Sequence, residues 1–208
     1  RQPQRSLRAT IQQLPVDVRW ALRDIAASDN GVVIAQALRD GTAVAVSDGS
    51  FKDKFGTAAW VIEGRRSDGR LEGQCIIPGG PEDQSAYRSE LGGLYAIAAM
   101  VQVICELHNI QEGSIEVTCD GMNALAQVGE ADPIIRPNGA QYDIIAATQA
   151  KIKRTNIQWK MRHVMGHQDD TQGCTVMDRW ETLNCMMDER VKQHWQHHST
   201  RTTRVQSA

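Results

Sequence analysis

The sequence predicts an α/β domain built on a five-stranded mixed sheet with helices on both faces. Three observations predict it. Short apolar runs of strand length come first, with turn residues between them. Longer segments with apolar residues at three- and four-residue steps follow, and further strand-like runs alternate with them. Helices between strands imply parallel pairing, so the later strands extend a sheet that begins as an antiparallel meander.

The first 40 residues predict a helical lead-in or linker that precedes the main domain. Pro15 suits the first turn of a helix, and Asn30-Gly31 suits its end. The apolar side of this helix would comprise Val18, Leu22 and Ile25. A second short helical turn is expected over 33–39. We therefore expect residues 1–40 to cover the sheet or to connect it to an upstream domain.

Three strands of a meander are predicted over 43–48, 57–63 and 70–77. The first is small, apolar and rich in valine, as in a central strand that is buried on both faces. It ends on Asp48, and Gly49-Ser50 predicts a turn directly after it. Asp-Gly-Ser is a common turn sequence, so Asp48 considered alone is predicted to be a turn residue. Later acids in the chain change that interpretation.

The longest helical pattern runs from Ser85 to about His108, with Glu90 in its opening turns. After it, a strand over 114–119 ends on Asp120 and is followed by Gly121, which repeats the pattern of the first strand. The remaining elements are expected to be a short helix over 124–128, a helix over 142–154, a strand over 157–164 and a last helix over 183–195. The acids thus fall at strand ends and on the main helix.

Charge and cysteine usage limit the classes of function. The 208 residues include 23 Lys and Arg against 25 Asp and Glu, a net charge of −2, which excludes a uniformly basic nucleic-acid coat. Five cysteines include no C-x-x-C pair, which indicates reduced intracellular thiols. No apolar run approaches the ~20 residues of a membrane span, and no signal peptide opens the chain. Because the chain begins with Arg1 rather than Met, we expect a piece of a longer polypeptide. The cysteines and the lack of a membrane span lead us to expect an intracellular location and no membrane partner.

Asp48, Glu90 and Asp120 are three hard oxygen ligands that a mixed sheet can bring to one crevice. Mg²⁺ prefers carboxylates of this kind and keeps waters and substrate phosphates as its other ligands. Carboxylates crowded together repel one another unless cations lie between them. A pair of cations about 3.5–4 Å apart can stabilise both the attacking and the departing oxygen of a phosphoryl displacement. The three acids therefore favour such a site.

Five short motifs, in this order along the chain, carry a resemblance. They are Ser47-Asp48-Gly49-Ser50, Arg88-Ser89-Glu90-Leu91, Cys119-Asp120-Gly121, Val164-Met165-Gly166-His167 and Asn184 to Asp188. Through them the sequence from about Thr42 to Trp195 resembles the ribonuclease H family, and it is most similar to the ribonuclease H domains of reverse-transcribing retroelements. Each motif alone is weak, and the specificity lies in their shared order on the expected elements.

The resemblance implies a ribonuclease H-like fold and a metal-dependent endonuclease that cuts the RNA strand of RNA–DNA hybrids. It implies two Mg²⁺ or Mn²⁺ ions per site and products with 5′-phosphate and 3′-hydroxyl ends. Asp48 would bridge both ions, Glu90 would bind one and help to position the nucleophilic water, and Asp120 would bind the other. His167 would assist product departure or shuttle a proton.

The fourth carboxylate ligand is open to several candidates. In the family it lies near the start of the last helix, four positions after an asparagine, and Asn184 to Asp188 reproduces that spacing. A long insert between His167 and Asn184 departs from the family pattern. Its acids compete for the role: Asp169, Asp170 and Asp178. We favour Asp188, because a helix start supports a ligand more rigidly than a polar loop.

Substrate recognition is expected around the first acid. Gly49 and Ser50 follow Asp48 and would contact the 2′-hydroxyl groups by which a protein distinguishes RNA from DNA. Met122 stands where relatives often carry a polar residue, so Asn123 is the candidate for reaching the nucleic acid there. The densest positive run would contact phosphates and consists of Lys151, Lys153, Arg154, Lys160 and Arg162.

The resemblance divides the chain into the lead-in, a ribonuclease H-like catalytic domain over 41–196 and a polar tail over 197–208. We expect a monomer that binds an RNA–DNA hybrid, with a polymerase domain upstream in the same polypeptide. Two other functions stay open. One is a DNA transposase or integrase-type nuclease on the same fold, which the helix position of Glu90 and Gly166-His167 disfavour. The other is a catalytically inactive tether domain of a reverse transcriptase, which the intact acids disfavour.

Overall fold

The described part of the chain consists of helices and strands in mixed order. The computed structural model describes residues 5–64, 69–119, 121–129, 141–163, 189–194 and 196. The helices are α1 Leu7–Gln12, α2 Val16–Arg19, α3 Val32–Asp40, α4 Ala86–Leu107, α5 Met122–Gly129 and α6 Tyr142–Lys153. The strands are β1 Asp24–Ala27, β2 Ala43–Lys52, β3 Phe55–Glu63, β4 Arg70–Ile76, β5 Ser114–Cys119 and β6 Gln158–His163. Residues 189–194 are also helical.

The strands form one mixed sheet in the order β1-β4-β3-β2-β5-β6. The first four strands in that order are antiparallel neighbours, and β5 and β6 run parallel to β2. Helices α5 and α6 connect β5 to β6, as a parallel pair requires. The predicted α/β class and mixed sheet are confirmed. The described sheet has six strands rather than the expected five.

The additional strand arises where the sequence predicted one helix from Pro15 to Asn30-Gly31. That helix ends at Arg19, and Trp20–Leu22 form a 3-10 turn. Ile25 then pairs with Gly73 at the edge of the sheet, and the residues of β1 alternate between exposed and half-buried positions. This part of the prediction was wrong because strand pairing, which only the folded chain provides, overrides weak local helix propensity.

The hairpin between β2 and β3 turns at Asp53 and Lys54, which have left-handed φ angles of 51° and 61°. Positive φ at both central residues matches the twist of the flanking strands. Gly49 and Ser50, which the sequence placed in a turn, instead lie inside β2 and pair with β3. The strand therefore continues past Asp48, which stands in the sheet rather than in a loop.

Helix α4 is the central helix of the core. Ser85 caps it, because the Ser85 hydroxyl accepts a hydrogen bond from the backbone N–H of Arg88 at 3.0 Å. Its largest fully buried side chains are Leu91, Ile97, Met100 and Ile104. By length and composition this 22-residue helix could cross a membrane, but 83% of its most apolar window is buried inside the protein, as in a core helix. The long helix predicted from the sequence is confirmed.

Both faces of the sheet are covered, as predicted. On one face Val46, Ala59 and Val61 form a small cluster with Val191 of the last helical segment. The other face packs in the main core, which includes residues of α4, α5 and α6. The first 40 residues contribute to this same core through Leu7, Ile11, Leu22, Ile34 and Leu38. The division of the chain at residue 41 stays a prediction.

The cysteines of the described residues are buried and form no disulfide bond. They are Cys75, Cys105 and Cys119. Burial raises the pKa of the Cys75 thiol to about 12 and that of Cys105 to about 11. These thiols therefore stay protonated and unreactive at neutral pH.

Candidate active site

Asp48 lies where the parallel pairing of β2 ends. Ser47 and Cys119 form the last pair between β2 and β5, and Asp48 follows directly. On its other side Asp48 pairs with Ala59 of β3, and the residue is half-buried. Open α/β sheets bind ligands in the crevice at the carboxyl ends of their parallel strands. Asp48 therefore places a carboxylate where this fold can bind a ligand.

The start of α4 lies against the same end of β2. A Cβ atom on Gly49 would stand 2.5 Å from the carbonyl carbon of Ser89 and 2.6 Å from the backbone nitrogen of Glu90. No side chain fits between strand and helix at this point, and glycine lets the two backbones approach each other. The close approach fixes Glu90 next to the strand that carries Asp48.

The Glu90 side chain extends from α4 to the end of β5. A Cβ atom on Gly121 would collide with the carboxylate of Glu90, and it would stand 2.7 Å from the carboxyl carbon. Gly121 is two residues beyond Cys119, the last residue of β5. The fold therefore brings Asp48 and Glu90, which are distant in sequence, to the ends of two neighbouring parallel strands.

Other predicted site residues lie outside the described residues. They are Asp120, His167, Asp188 and the competing acids Asp169, Asp170 and Asp178. Asn123 belongs to α5, but its side chain lies outside the described part. Gly49 and Ser50 are half-buried in β2, next to Asp48. Of the predicted ligands, Asp48 and Glu90 are brought together, and the roles of the others stay predictions.

The two described carboxylates suit Mg²⁺ or Mn²⁺ in chemical type, because these hard cations prefer carboxylate oxygen. Within the described ranges no group of three His, Cys, Asp or Glu side chains is placed to hold a metal ion. A complete site therefore needs a ligand from the rest of the chain. Asp120, which directly precedes Gly121 in the sequence, is the predicted one.

Tyr87 is a neighbour of Glu90 that the sequence did not single out. It lies three positions earlier on α4, so the two side chains share one face of the helix. Burial raises the pKa of the Tyr87 hydroxyl, and the negative charge of Glu90 raises it further. The three-residue spacing on a predicted helix was the signal that could have identified it.

We expect Gly121→Ala to displace the Glu90 carboxylate with little loss of stability. The new methyl group would meet the end of a flexible side chain, which can turn away. If Glu90 is a ligand, Mn²⁺ affinity measured by calorimetry should fall about tenfold, while the unfolding temperature without metal should change by at most about 2 °C. Glu90→Gln is the matched reference variant. Wild-type affinity in Gly121→Ala alongside a loss in Glu90→Gln would contradict the described contact.

The predicted basic surface lies at the end of α6 and on β6. Its exposed members are Lys153, Arg154, Lys160 and Arg162. Arg162 forms an ion pair with Glu116 at 3.1 Å, so part of its charge is compensated. Trp159 alternates with these charges and packs against the core, and its indole N–H donates a hydrogen bond to the Thr155 hydroxyl at 2.8 Å. β6 therefore has one wet, basic face and one packed face, as predicted.

Solved structures that resemble this chain are ribonuclease H domains. A structure of LC11-RNase H1 in complex with an RNA/DNA hybrid gives a TM-score of 0.51 at 12% identity, covering 72% of this chain and 99% of that chain. A structure of LC11-RNase H1, isolated from compost by a metagenomic approach, has a TM-score of 0.48 at 15% identity and covers 73% of this chain and 99% of that chain. The N-terminal RNase H domain of a Mycobacterium tuberculosis protein has a TM-score of 0.44 at 13% identity and covers 73% of this chain and 96% of that chain.

No family model and no curated protein sequence matches the chain. At identities of 12–15% a structural likeness concerns the fold, and the function must be argued from the site. The likeness to the LC11-RNase H1 complex, with its TM-score of 0.51, extends over 72% of this chain. The chain therefore has a ribonuclease H-like fold.

Proposed function

We propose that this chain is a metal-dependent endonuclease that hydrolyses the RNA strand of RNA–DNA hybrids and leaves 5′-phosphate and 3′-hydroxyl ends. The observation that carries the proposal is that Asp48 lies at the carboxyl end of the parallel pairing of β2, while the Glu90 carboxylate reaches Gly121 just past the end of the neighbouring strand β5, in a ribonuclease H-like fold. Glycines at 49 and 121 provide the space in which the two acids approach that position.

Each acid has a role in this proposal. Asp48 and Glu90 hold a pair of Mg²⁺ or Mn²⁺ ions together with Asp120 and Asp188. Bound cations supply charge stabilisation and a water acidic enough to serve as nucleophile at neutral pH. Asp48 and Glu90 would both be ligands, and Glu90 would also help to position the water. His167 moves a proton or assists departure of the product.

Contacts to the sugar determine which strand is cut. Gly49 and Ser50 lie beside Asp48 in β2 and approach the 2′-hydroxyl, a group present only in RNA. Asn123, which belongs to α5, supplies a further contact to the nucleic acid in this proposal. The basic face of β6 and the end of α6 attract the phosphate backbone, so binding should weaken as salt rises.

The proposal includes a biological setting. The chain is the ribonuclease H part of a reverse-transcribing retroelement, it acts inside the cell as a monomer, and a polymerase domain precedes it in the same polypeptide. That domain would supply the hybrid and strengthen its binding. The resemblance of the five sequence motifs supports this setting.

Two alternative functions predict different experimental outcomes. A transposase or integrase-type nuclease on this fold would cut duplex DNA. A tether domain without activity would bind no divalent cation between Asp48 and Glu90. The close approach of the β2 and α4 backbones at Gly49, which places Glu90 beside the strand that carries Asp48, favours an active site over a tether.

The test is cleavage of matched duplexes by the full chain. We expect Mg²⁺-dependent cutting of the labelled RNA strand in an RNA–DNA hybrid, with a 5′-phosphate on the new end. Duplex DNA and duplex RNA of the same sequence should stay intact. Cutting of duplex DNA would favour the transposase alternative. Intact hybrid at all Mg²⁺ and Mn²⁺ concentrations, with no cation binding by calorimetry, would favour the tether.

A further inference from the structure

Arg88 is a buried cation, 4% exposed, two residues before Glu90. Its Nε and Nη2 groups donate hydrogen bonds to the Pro78 carbonyl oxygen at 2.9 and 2.8 Å. Nη1 and Nη2 donate to the two carboxylate oxygens of Asp143, both at 2.9 Å. Nη1 also donates to the side-chain oxygen of Gln141 at 2.7 Å. These contacts match the five N–H donors of a guanidinium, and we call the four residues the Arg88 cluster.

The Arg88 cluster joins three separate segments of the chain. Pro78 belongs to the loop after β4, Arg88 to the first turn of α4, and Asp143 to the first turn of α6. The guanidinium therefore fixes the start of α4 against two neighbours at once. Glu90 lies half a helical turn further on, so its backbone position depends on the same contacts.

The loop after β4 is shaped to receive the guanidinium. Gly79 has a left-handed φ of 122°, and a Cβ atom there would stand 3.1 Å from Nη2 of Arg88. The side-chain amide of Gln84 donates hydrogen bonds to the carbonyl oxygens of Ile77, Pro78 and Gly79 at 3.2, 3.3 and 3.2 Å. The loop is thus held closed around the arginine, which indicates a rigid arrangement rather than a surface ion pair.

Gln141 adapts its backbone to reach Arg88. It has a left-handed φ of 65°, a conformation that costs energy for a residue with a side chain. Its side chain accepts from Arg88 and donates to the carbonyl oxygen of Asp83 at 3.3 Å. A strained backbone persists only where surrounding contacts hold it, so these contacts determine how α6 begins.

Asp143 supplies the charge that balances Arg88. The hydrogen bond from Arg88 lowers the pKa of this carboxyl group, although burial opposes the shift. Its side chain is 64% exposed, whereas that of Arg88 is 5% exposed. Removing Asp143 would leave a buried guanidinium without its counter-charge, whereas the carboxylate itself could be solvated.

We propose that the Arg88 cluster is a positioning device for Glu90, and that Arg88 sets divalent cation affinity through Glu90 without touching the cation. This inference rests on the proposed function, because it takes Glu90 to be a ligand. Ligands held by a rigid surrounding shell bind metal more tightly than mobile ones, and losing such support typically weakens binding about 10–100-fold. A lysine at position 88 would keep the positive charge but could not position Glu90 in the same way, because it lacks the planar two-pronged donor geometry of a guanidinium.

The inference predicts that substitutions in the Arg88 cluster act on cation binding only when Glu90 is present. We expect Asp143→Asn and Arg88→Lys in the full chain to weaken Mn²⁺ binding, measured by calorimetry without nucleic acid, about tenfold. In a Glu90→Gln background the same substitutions should change the remaining affinity less than about twofold, because coupled residues are not additive. Amide hydrogen exchange in the first turn of α4 should rise in both variants.

Two further variants test whether a loss of Mn²⁺ affinity results from a general loss of folding. Gln141→Gly removes one acceptor while it suits the left-handed backbone, so it should fold well and weaken Mn²⁺ binding. Arg70→Met breaks contacts to Glu63 at 3.1 Å and Glu72 at 3.4 Å in another part of the sheet, and it should leave Mn²⁺ affinity unchanged.

The possible outcomes separate this inference from the proposed function. Unchanged affinity in the cluster variants, or equal losses with and without Glu90, would overturn the positioning role and leave the nuclease proposal intact. A wild-type chain that binds no Mn²⁺ would overturn both. Tenfold losses that disappear with Glu90→Gln would support the inference.

Discussion

Asp48→Asn should lower hybrid cleavage about a thousandfold, because the loss of several kcal/mol of charge stabilisation corresponds to about three factors of ten in rate. Asparagine keeps the size and shape of the side chain but replaces an anionic oxygen with a neutral amide. The residue lies in β2 between two paired strands, so the fold itself should hold. Single-turnover cleavage of labelled hybrid at saturating Mg²⁺ measures the effect.

Asp40→Asn is the control for the Asp48 prediction. Asp40 is an exposed acid at the end of α3, where it accepts a hydrogen bond from the Gln36 side chain at 2.9 Å. The same chemical change there should leave the cleavage rate within about twofold of the wild type, as expected for surface substitutions. If Asp48→Asn cleaves the hybrid at the wild-type rate, Asp48 is not part of the active site, and the main support for a nuclease is lost.

Gly49→Ala should damage both stability and activity. The new Cβ would lie 2.5 and 2.6 Å from backbone atoms of Ser89 and Glu90, and backbone cannot turn away as a side chain does. Either β2 or α4 must move, and over-packing of this kind costs about 1–3 kcal/mol, occasionally more. For a chain of this size we expect the unfolding temperature to fall by about 4–10 °C. Cleavage should fall further than stability alone explains, because Glu90 moves relative to Asp48.

Gly129→Ala is the matched control for Gly49→Ala. A Cβ atom there would stand 2.8 Å from Cγ of Met161, so a side chain rather than backbone must shift. Its unfolding temperature and cleavage rate should fall less than those of Gly49→Ala. A Gly49→Ala variant as stable and active as the control would show that strand and helix do not meet at Gly49 as described.

The sequence predicted the elements that have a strong local pattern. The apolar period of α4 predicted a helix from Ser85 to about His108, which agrees with the structure to within a residue at each end. The valine-rich start of β2 and the alternation in β6 also gave their strands correctly. These patterns succeed because burial on one face or both dictates the spacing of apolar residues.

The elements that depend on tertiary pairing were missed. β1 has only four residues and no apolar period, and it becomes a strand because β4 offers a free edge. The turn of the first hairpin was placed at Gly49-Ser50, because glycine usually marks a turn. The actual turn uses Asp53 and Lys54 at positive φ, and Gly49 serves the close approach of α4 instead.

Part of the candidate site could also be predicted. Acids after apolar strands and on an amphipathic helix identified Asp48 and Glu90, and the fold brings both to one edge of the sheet. The contribution of Arg88 could not be predicted, because its partners Pro78, Gln141 and Asp143 are remote in sequence. Local patterns identify residues with chemistry, whereas the supports that orient them come from distant segments.

The short strand β1 has a consequence for the solubility of shorter versions of the chain. It covers the outer edge of β4, and Gly73 of β4 leaves room there for the Trp60 ring, 2.6 Å from the position a Cβ would take, and for the backbone of Asp24. A chain that begins at residue 41 would lack β1. The outer edge of the seven-residue strand β4 would then have no partner and could pair with a strand of another molecule. The native edge has four residues and an exposed Asp24, which discourages such self-association.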